Sequence, residues 1–223
     1  MNRSIYLKGA SFAYLKQFIQ AIAGIILVPI LIKNFGMEIY SSWVLIYGFA
    51  AYLSIISFGI PSAMMAMVAQ EPDSFEKFNI LKRSFFLIAF LSSLALLFIF
   101  FLIVIPQNNP AVIFGVISAE NKSIASDLFT LFLIITFIKL PFEIFPLFFS
   151  AMNLVYISQI YEIFISLLLI ACVTLVVLIN LTIYQFATIF LLGQLFIFVI
   201  SSFHIRLKWK NFIKRYGDEN KLP

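Results

Sequence analysis

The chain has 223 residues, 63% of them hydrophobic and 11% charged, with 15 Lys and Arg against 10 Asp and Glu for a formal charge of +5. Water-soluble domains are about half apolar and about a quarter charged, so this composition excludes one and makes a lipid bilayer the solvent. The single cysteine, Cys172, excludes both a disulfide framework and a cysteine metal cluster.

A bilayer core of about 30 Å takes roughly 20 apolar residues per helical crossing. Six stretches meet that length, at 12–32, 43–68, 84–105, 128–151, 155–179 and 183–204. Runs such as Phe85-Phe86-Leu87-Ile88 and Leu167-Leu168-Leu169-Ile170 are apolar on every side, whereas a membrane barrel strand alternates over about ten residues. Backbone groups in hydrocarbon must find partners within their own segment, which leaves helices. The expected fold class is all-α, a polytopic six-transmembrane-helix bundle occupying residues 1–204. Residues 205–223 turn polar and read as a basic cytoplasmic tail or an interlobe linker.

The first stretch follows Arg3 and Lys8, and Ala21-Ile22-Ala23 resembles a signal-cleavage tripeptide. Apolar sequence continues from 24 to 32, so a retained helix is expected. Lys16 lies about 6 Å inside its start at 1.5 Å per residue, near enough to snorkel to the interface. Gln20 sits one turn on, with Ala13, Gln17 and Gly24 on or near the same face. Such a polar, small-residue stripe suits a water-filled cavity.

In the second stretch, Gly59-Ile60-Pro61 predicts a kink, because proline removes a helix hydrogen bond and crowds the preceding turn. Met64, Met65 and Met67 follow, flexible side chains that fill an irregular or shifting surface. A packed kink and a moving hinge both fit. Small residues at Ala50 and Ser54, and at Ser62 and Ala66, predict close helix packing. Asp73 with Glu76, just after Pro72, reads as a capping box that starts the third helix ahead of the bilayer. Residues 106–127, with Asn108, Asn109, Pro110, Gly115 and Asn121, read as an external loop holding a short interfacial segment at 111–117.

Charge follows this alternation. Arg3 and Lys8, then Lys77, Lys82 and Arg83, then Arg206, Lys208, Lys210, Lys214, Arg215 and Lys221 fall on one side; Lys33 and Lys122 fall on the other. Positive residues stay inside, so both termini are expected in the cytoplasm. The basic tail reads as a topology signal that contacts anionic lipid, not as a nucleic-acid site.

Ionisable side chains within a bilayer cost about 2.5–3.5 kcal/mol at a helix centre, so those present need a reason. Besides Lys16, they are Lys139, Glu143 and Glu162. Lysine four residues before glutamate is the weaker helical order, and Pro141 between them should bend the helix as a second hinge. An ion pair within that helix is therefore not expected. With a hairpin turn near Asn153, Glu143 lies ten residues before it and Glu162 nine after, so the carboxylates share a depth. The expectation is one cluster of Lys139, Glu143 and Glu162 that seats an anion or takes up protons, or that merely locks two helices. Ser158, Gln159 and Ser166 extend a polar stripe beside Glu162. No nucleophile–base set, Cys/His metal set or P-loop occurs, and His204 sits at the membrane edge. Neither enzyme chemistry nor a metal or other cofactor is expected.

Leu15-Lys16-Gln17-Phe18, Val28-Pro29-Ile30-Leu31, Phe35-Gly36, Tyr40-Ser41-Ser42-Trp43 and Phe58-Gly59-Ile60-Pro61-Ser62-Ala63 resemble the amino-terminal region of polysaccharide exporters and O-antigen repeat-unit flippases, of the multidrug/oligosaccharidyl-lipid/polysaccharide superfamily. Leu140-Pro141-Phe142 and Ala151-Met152-Asn153 are similar to its fourth helix and following turn. The resemblance implies one of two six-helix lobes that rock about a cationic cavity in the cytoplasmic membrane and carry lipid-linked oligosaccharide. It implies a polyprenyl-diphosphate head group held by Lys16, with Gln17, Gln20 and Lys139 as further contacts. A single lobe implies in turn a truncated frame, a separately encoded second lobe or a homodimer. The alternative expectation is a non-transporting membrane scaffold or partner subunit.

Overall fold

A computed structural model describes residues 3–53, 59–104 and 122–216. Its regular structure is helical, with no strand among the described residues. The order is α1 (Arg3–Phe35), α2 (Met37–Leu53), α3 (Ile60–Gln70), α4 (Ser74–Val104), α5 (Lys122–Lys139), a 3₁₀ turn (Leu140–Glu143), α6 (Ile144–Ala151), α7 (Val155–Ile179) and α8 (Ile183–Tyr216).

Five segments are long and apolar enough to cross a membrane: Lys8–Phe35, Phe75–Phe98, Ile124–Ala151, Val155–Ile179 and Ile183–Lys208. This is the make-up of a multi-pass membrane protein. The second expected span departs from prediction, because it is two helices. Gly59 has φ 71°, a left-handed conformation that only glycine takes without strain, and α3 begins immediately after it. Pro61 falls in the first turn of α3, where its missing N–H leaves no bond unmade. It starts a helix instead of kinking one. The 17 residues of α2 and 11 of α3 are each short of a full crossing; residues 54–58, with Ser54, lie outside the described region.

Other boundaries are sharpened. The α1–α2 corner turns on Gly36, and the α6–α7 and α7–α8 corners turn on Asn153 and Asn180, all at positive φ. Asparagine is the residue besides glycine that tolerates this best. At the start of α4, Asp73 Oδ1 accepts from Phe75 N–H, so the cap forms. The expected reciprocal bond from Glu76 does not: Glu76 accepts from Asn79, and Glu71 takes the Asp73 N–H instead. Asp127, read as loop, stands in α5, where Tyr184 donates to it. The interfacial segment expected at 111–117 is outside the described residues. Helix α8 continues through residues 205–216, so the described part of the basic tail is helical.

Helix directions follow from three cross-helix pairs. A Cβ on Gly9 would stand 3.7 Å from that of Val155, and Lys16 pairs with Glu162. The two pairs have the same residue offset, so α1 and α7 run parallel and in register. Tyr161 meets His204 across the α7–α8 seam, which runs antiparallel. One pole of the bundle thus gathers the start of α1, the α6–α7 corner and the far end of α8; packing of Ile80 and Leu81 with Ile205 and Phe148 adds the start of α4. It holds Lys8, Lys77, Lys82, Arg83, Arg206 and Lys208 and is called the basic pole.

The interior divides between the poles. Away from the basic pole, Trp43 packs edge-on to Phe132 at 4.8 Å and against Phe186 at 5.0 Å, surrounded by Leu27, Leu31, Val173 and Val176. Toward the basic pole, Met64 and Val68 of α3 pack with Ile88, Ile144 and Phe148. Ser62 and Ala66 face outward, so the small pair expected at that contact is not what makes it. Lipid is as apolar as these cores, and close packing, not water exclusion, holds them together. Between the two cores lies a belt of polar side chains.

Candidate functional site: two ion pairs in a polar belt

The first pair joins Lys16 Nζ of α1 to Glu162 Oε2 of α7, with side chains 23% and 36% exposed. Parallel register makes it form, since each residue sits seven positions beyond the Gly9–Val155 approach. Ala13 on α1, with Gln159 and Ser166 on α7, falls on the adjoining turns of the same seam. Ser166 Oγ donates back to the Glu162 carbonyl and is buried. Gln159 Oε1 is buried and accepts no hydrogen bond, an unusual state for an amide. Gln17, Gln20 and Gly24 are exposed on the flank of α1 beside the pair. At 1.5 Å per residue, Gln17 and Gln20 lie about 14 Å and about 18 Å along the helix from Lys8.

The second pair is Lys139 with Glu143, at 3.1 Å, side chains 14% and 34% exposed. This overturns the expectation that Pro141 would keep them apart. Pro141 sits at the start of the 3₁₀ turn that joins α5 to α6, and the chain bends without separating the two side chains. Lys139 also donates to Gln194 Oε1 at 3.0 Å and lies over the Phe198 ring at 5.8 Å. Gln194 is 3% exposed. One ammonium therefore ties α5, the 3₁₀ turn and α8 together.

The expected cluster of Lys139, Glu143 and Glu162 does not form. Sharing a depth does not make two residues share a side: Glu162 points to α1, while Glu143 stays with the α5–α8 contact. Lys16, given no ion partner by the sequence, has Glu162. Gly59 and Pro61 mark the break before α3. Among the described residues, no group of three His, Cys, Asp or Glu gathers as a metal site would require.

Two features escaped the sequence reading. Gln194 is a lone amide in the apolar middle of the last span, which is the available signal for a partner of Lys139. The Tyr161–His204 hydrogen bond, 2.8 Å, with His204 against Phe149 at 5.0 Å, needs the antiparallel α7–α8 register that composition alone does not fix. Comparison with family models, curated proteins and solved structures finds no match for this chain.

Proposed function

We infer that this chain is the amino-terminal lobe of an exporter of lipid-linked oligosaccharide or polysaccharide repeat units, acting without chemistry of its own in the cytoplasmic membrane. In this reading α2 and α3 together make the remaining crossing, giving six, and the basic pole faces the cytoplasm with both termini.

The observation that carries it is the flank of α1. Gln17, Gln20 and the edge of the Lys16–Glu162 pair are exposed at depths where an amide facing hydrocarbon costs free energy. A face of that kind addresses a wet cavity. A cation there, reached from the surface, suits a diphosphate through charge-assisted hydrogen bonds. Alternating access requires a second body across the cavity, either another six-helix lobe or a second copy, and the α1 flank is the surface it would meet. Lys139 is less available, since Glu143, Gln194 and Phe198 already surround it.

The test is replacement of Lys16 by alanine in the native host, reading surface polysaccharide and membrane abundance together. Loss of polysaccharide at normal abundance supports export. The second reading, a non-transporting scaffold or partner subunit, is favoured by the Lys139–Glu143–Gln194 lock, which is a packing device; it is supported instead if Lys16→Ala lowers abundance and polysaccharide in proportion.

A further inference from the structure

The exposed cations of the basic pole differ in what holds them. Among the described residues, Lys208 is the one whose ammonium stands on a buried ring of another helix: its Nζ lies 5.7 Å from the centroid of Phe149 on α6, which is 2% exposed. Arg206 instead lies over Phe203 of its own helix, a ring 56% exposed. Phe149 stacks with Tyr161 of α7 at 6.1 Å, and His204, one turn before Lys208, packs on the same ring at 5.0 Å. Rings from α6, α7 and α8 thus converge around the one that carries the ammonium. We propose that Lys208 and His204 form a seat for the phosphate of an anionic phospholipid at the rim of the basic pole. The seat is separate from the Lys16 seam and does not rest on the exporter reading.

The donors and the depth both fit. A ring face attracts an ammonium but leaves its three N–H groups to find oxygen elsewhere, and among the described residues no carboxylate pairs with Lys208. His204 uses Nδ1 toward the Tyr161 hydroxyl, 2.8 Å away. A phosphate oxygen at Nε2 selects the arrangement in which Tyr161 donates, because a neutral imidazole then carries its hydrogen on Nε2. Two donors one turn apart on α8 can serve two oxygens of one phosphate, and the bonds are charge-assisted. Gln194 stands near the middle of the apolar segment Ile183–Lys208. Lys208 is 14 residues further on, about 21 Å along the helix at 1.5 Å per residue, beyond the half-thickness of a hydrocarbon core of about 30 Å. That is head-group level.

The surroundings set the sign of the lipid. Helices α3 and α6 bring no ionisable side chain; α1 brings Lys8, α8 brings Arg206, and the start of α4 brings Lys77, Lys82 and Arg83. The nearest carboxylate on α7, Glu162, is held by Lys16. At the α3–α4 corner, Glu71 and Asp73 accept from backbone N–H groups and Glu76 accepts from Asn79. Phosphatidylcholine and phosphatidylglycerol both carry a phosphodiester, but a choline cation is repelled by this field and a glycerol is not. The seat therefore favours a head group with net negative charge.

The experiment is native mass spectrometry of the full chain in detergent, titrated with phosphatidylglycerol or phosphatidylcholine. The first phosphatidylglycerol should bind about fivefold more tightly than the first phosphatidylcholine, and K208Q should lose about fivefold in phosphatidylglycerol affinity with phosphatidylcholine unchanged. K208R should keep the preference. K82Q with R83Q, which removes charge from the same pole but not from the seat, should change it by less than about twofold. H204Q, whose amide can place an N–H where Nε2 stood, should keep the affinity, and H204N should lose it. Equal binding of the two lipids by the unaltered chain overturns the seat. Equal losses from K208Q and from K82Q with R83Q make the attraction a diffuse field and overturn it as well. The same affinity in H204Q and H204N removes His204 from it. The lipid preference is read on the unaltered chain and on K208R, so the test stands even where K208Q does not fold. Release of phosphatidylglycerol by glycerol phosphate at equal concentration assigns the seat to a soluble phosphate and overturns the lipid assignment.

Discussion

Each of the two ion pairs is a lysine with a glutamate in the belt between two apolar cores, and their surroundings make them different devices. Lys139 is held by a glutamate one turn away in its own chain, by a buried amide on α8 and by an aromatic face. Gln194 is buried at 3% exposure, and the 14% exposure of the Lys139 side chain leaves a ligand little access. Among the described residues Lys16 is held by Glu162 alone, across a seam between separate helices, with exposed glutamines beside it. A charge with one removable partner can exchange; a charge with three converging partners braces. The lesson is that depth in a membrane helix marks an ionisable residue as significant, while the number of its partners says for what.

Breaking that contrast begins with the largest effect. Lys16→Ala is expected to reduce export more than a hundredfold while membrane abundance stays within twofold, checked by surface polysaccharide and immunoblot. A loss of more than about 2.7 kcal/mol of binding or transition-state energy corresponds to that factor. Next, Lys139→Ala should act on the fold: it leaves Gln194 Oε1 buried without a donor and Glu143 without a counter-charge, costing about 2 kcal/mol. The expected signature is a lower thermal unfolding midpoint in detergent, with abundance and export falling together. Gln20→Leu should lower export by up to about tenfold without changing the midpoint, since the amide faces outward. His204→Phe removes the hydrogen-bond partner of Tyr161 and should cost about 1 kcal/mol, seen as a small drop in midpoint. The smallest effect is expected at Gly193, where a Cβ would come within 2.6 Å of Leu168 Cδ2. The leucine end can swing, so Gly193→Ala should cost about 1 kcal/mol and leave export unchanged.

Much of the fold was legible because hydropathy reports the solvent directly. The 155–179 span coincides with α7, and the early start of α4 is set by Asp73. The 43–68 stretch was misread for a physical reason: a glycine at positive φ followed by proline in a first turn has the same composition as a kinked helix. Only the φ of Gly59 tells them apart. The site was half legible. Lys16, Gln17, Gln20, Lys139, Glu143, Gln159 and Glu162 stood out as polar groups in apolar sequence. Their pairing did not, because it depends on which helices are parallel neighbours, and α1 and α7 are separated by most of the chain. The rotation of Glu162 toward α1, away from Glu143, is decided by packing such as Gly9 against Val155.

The most direct test exchanges the charges within each pair, reading abundance and export together. In Lys139→Glu with Glu143→Lys, the Gln194 amide can turn its NH₂ toward the new carboxylate, so the brace and export should persist at more than half the normal level. In Lys16→Glu with Glu162→Lys, the seam and abundance should recover but the cation now stands on α7, and export should remain lost. Normal export from the Lys16–Glu162 exchange would contradict the account, because it would make that pair a strut like the other.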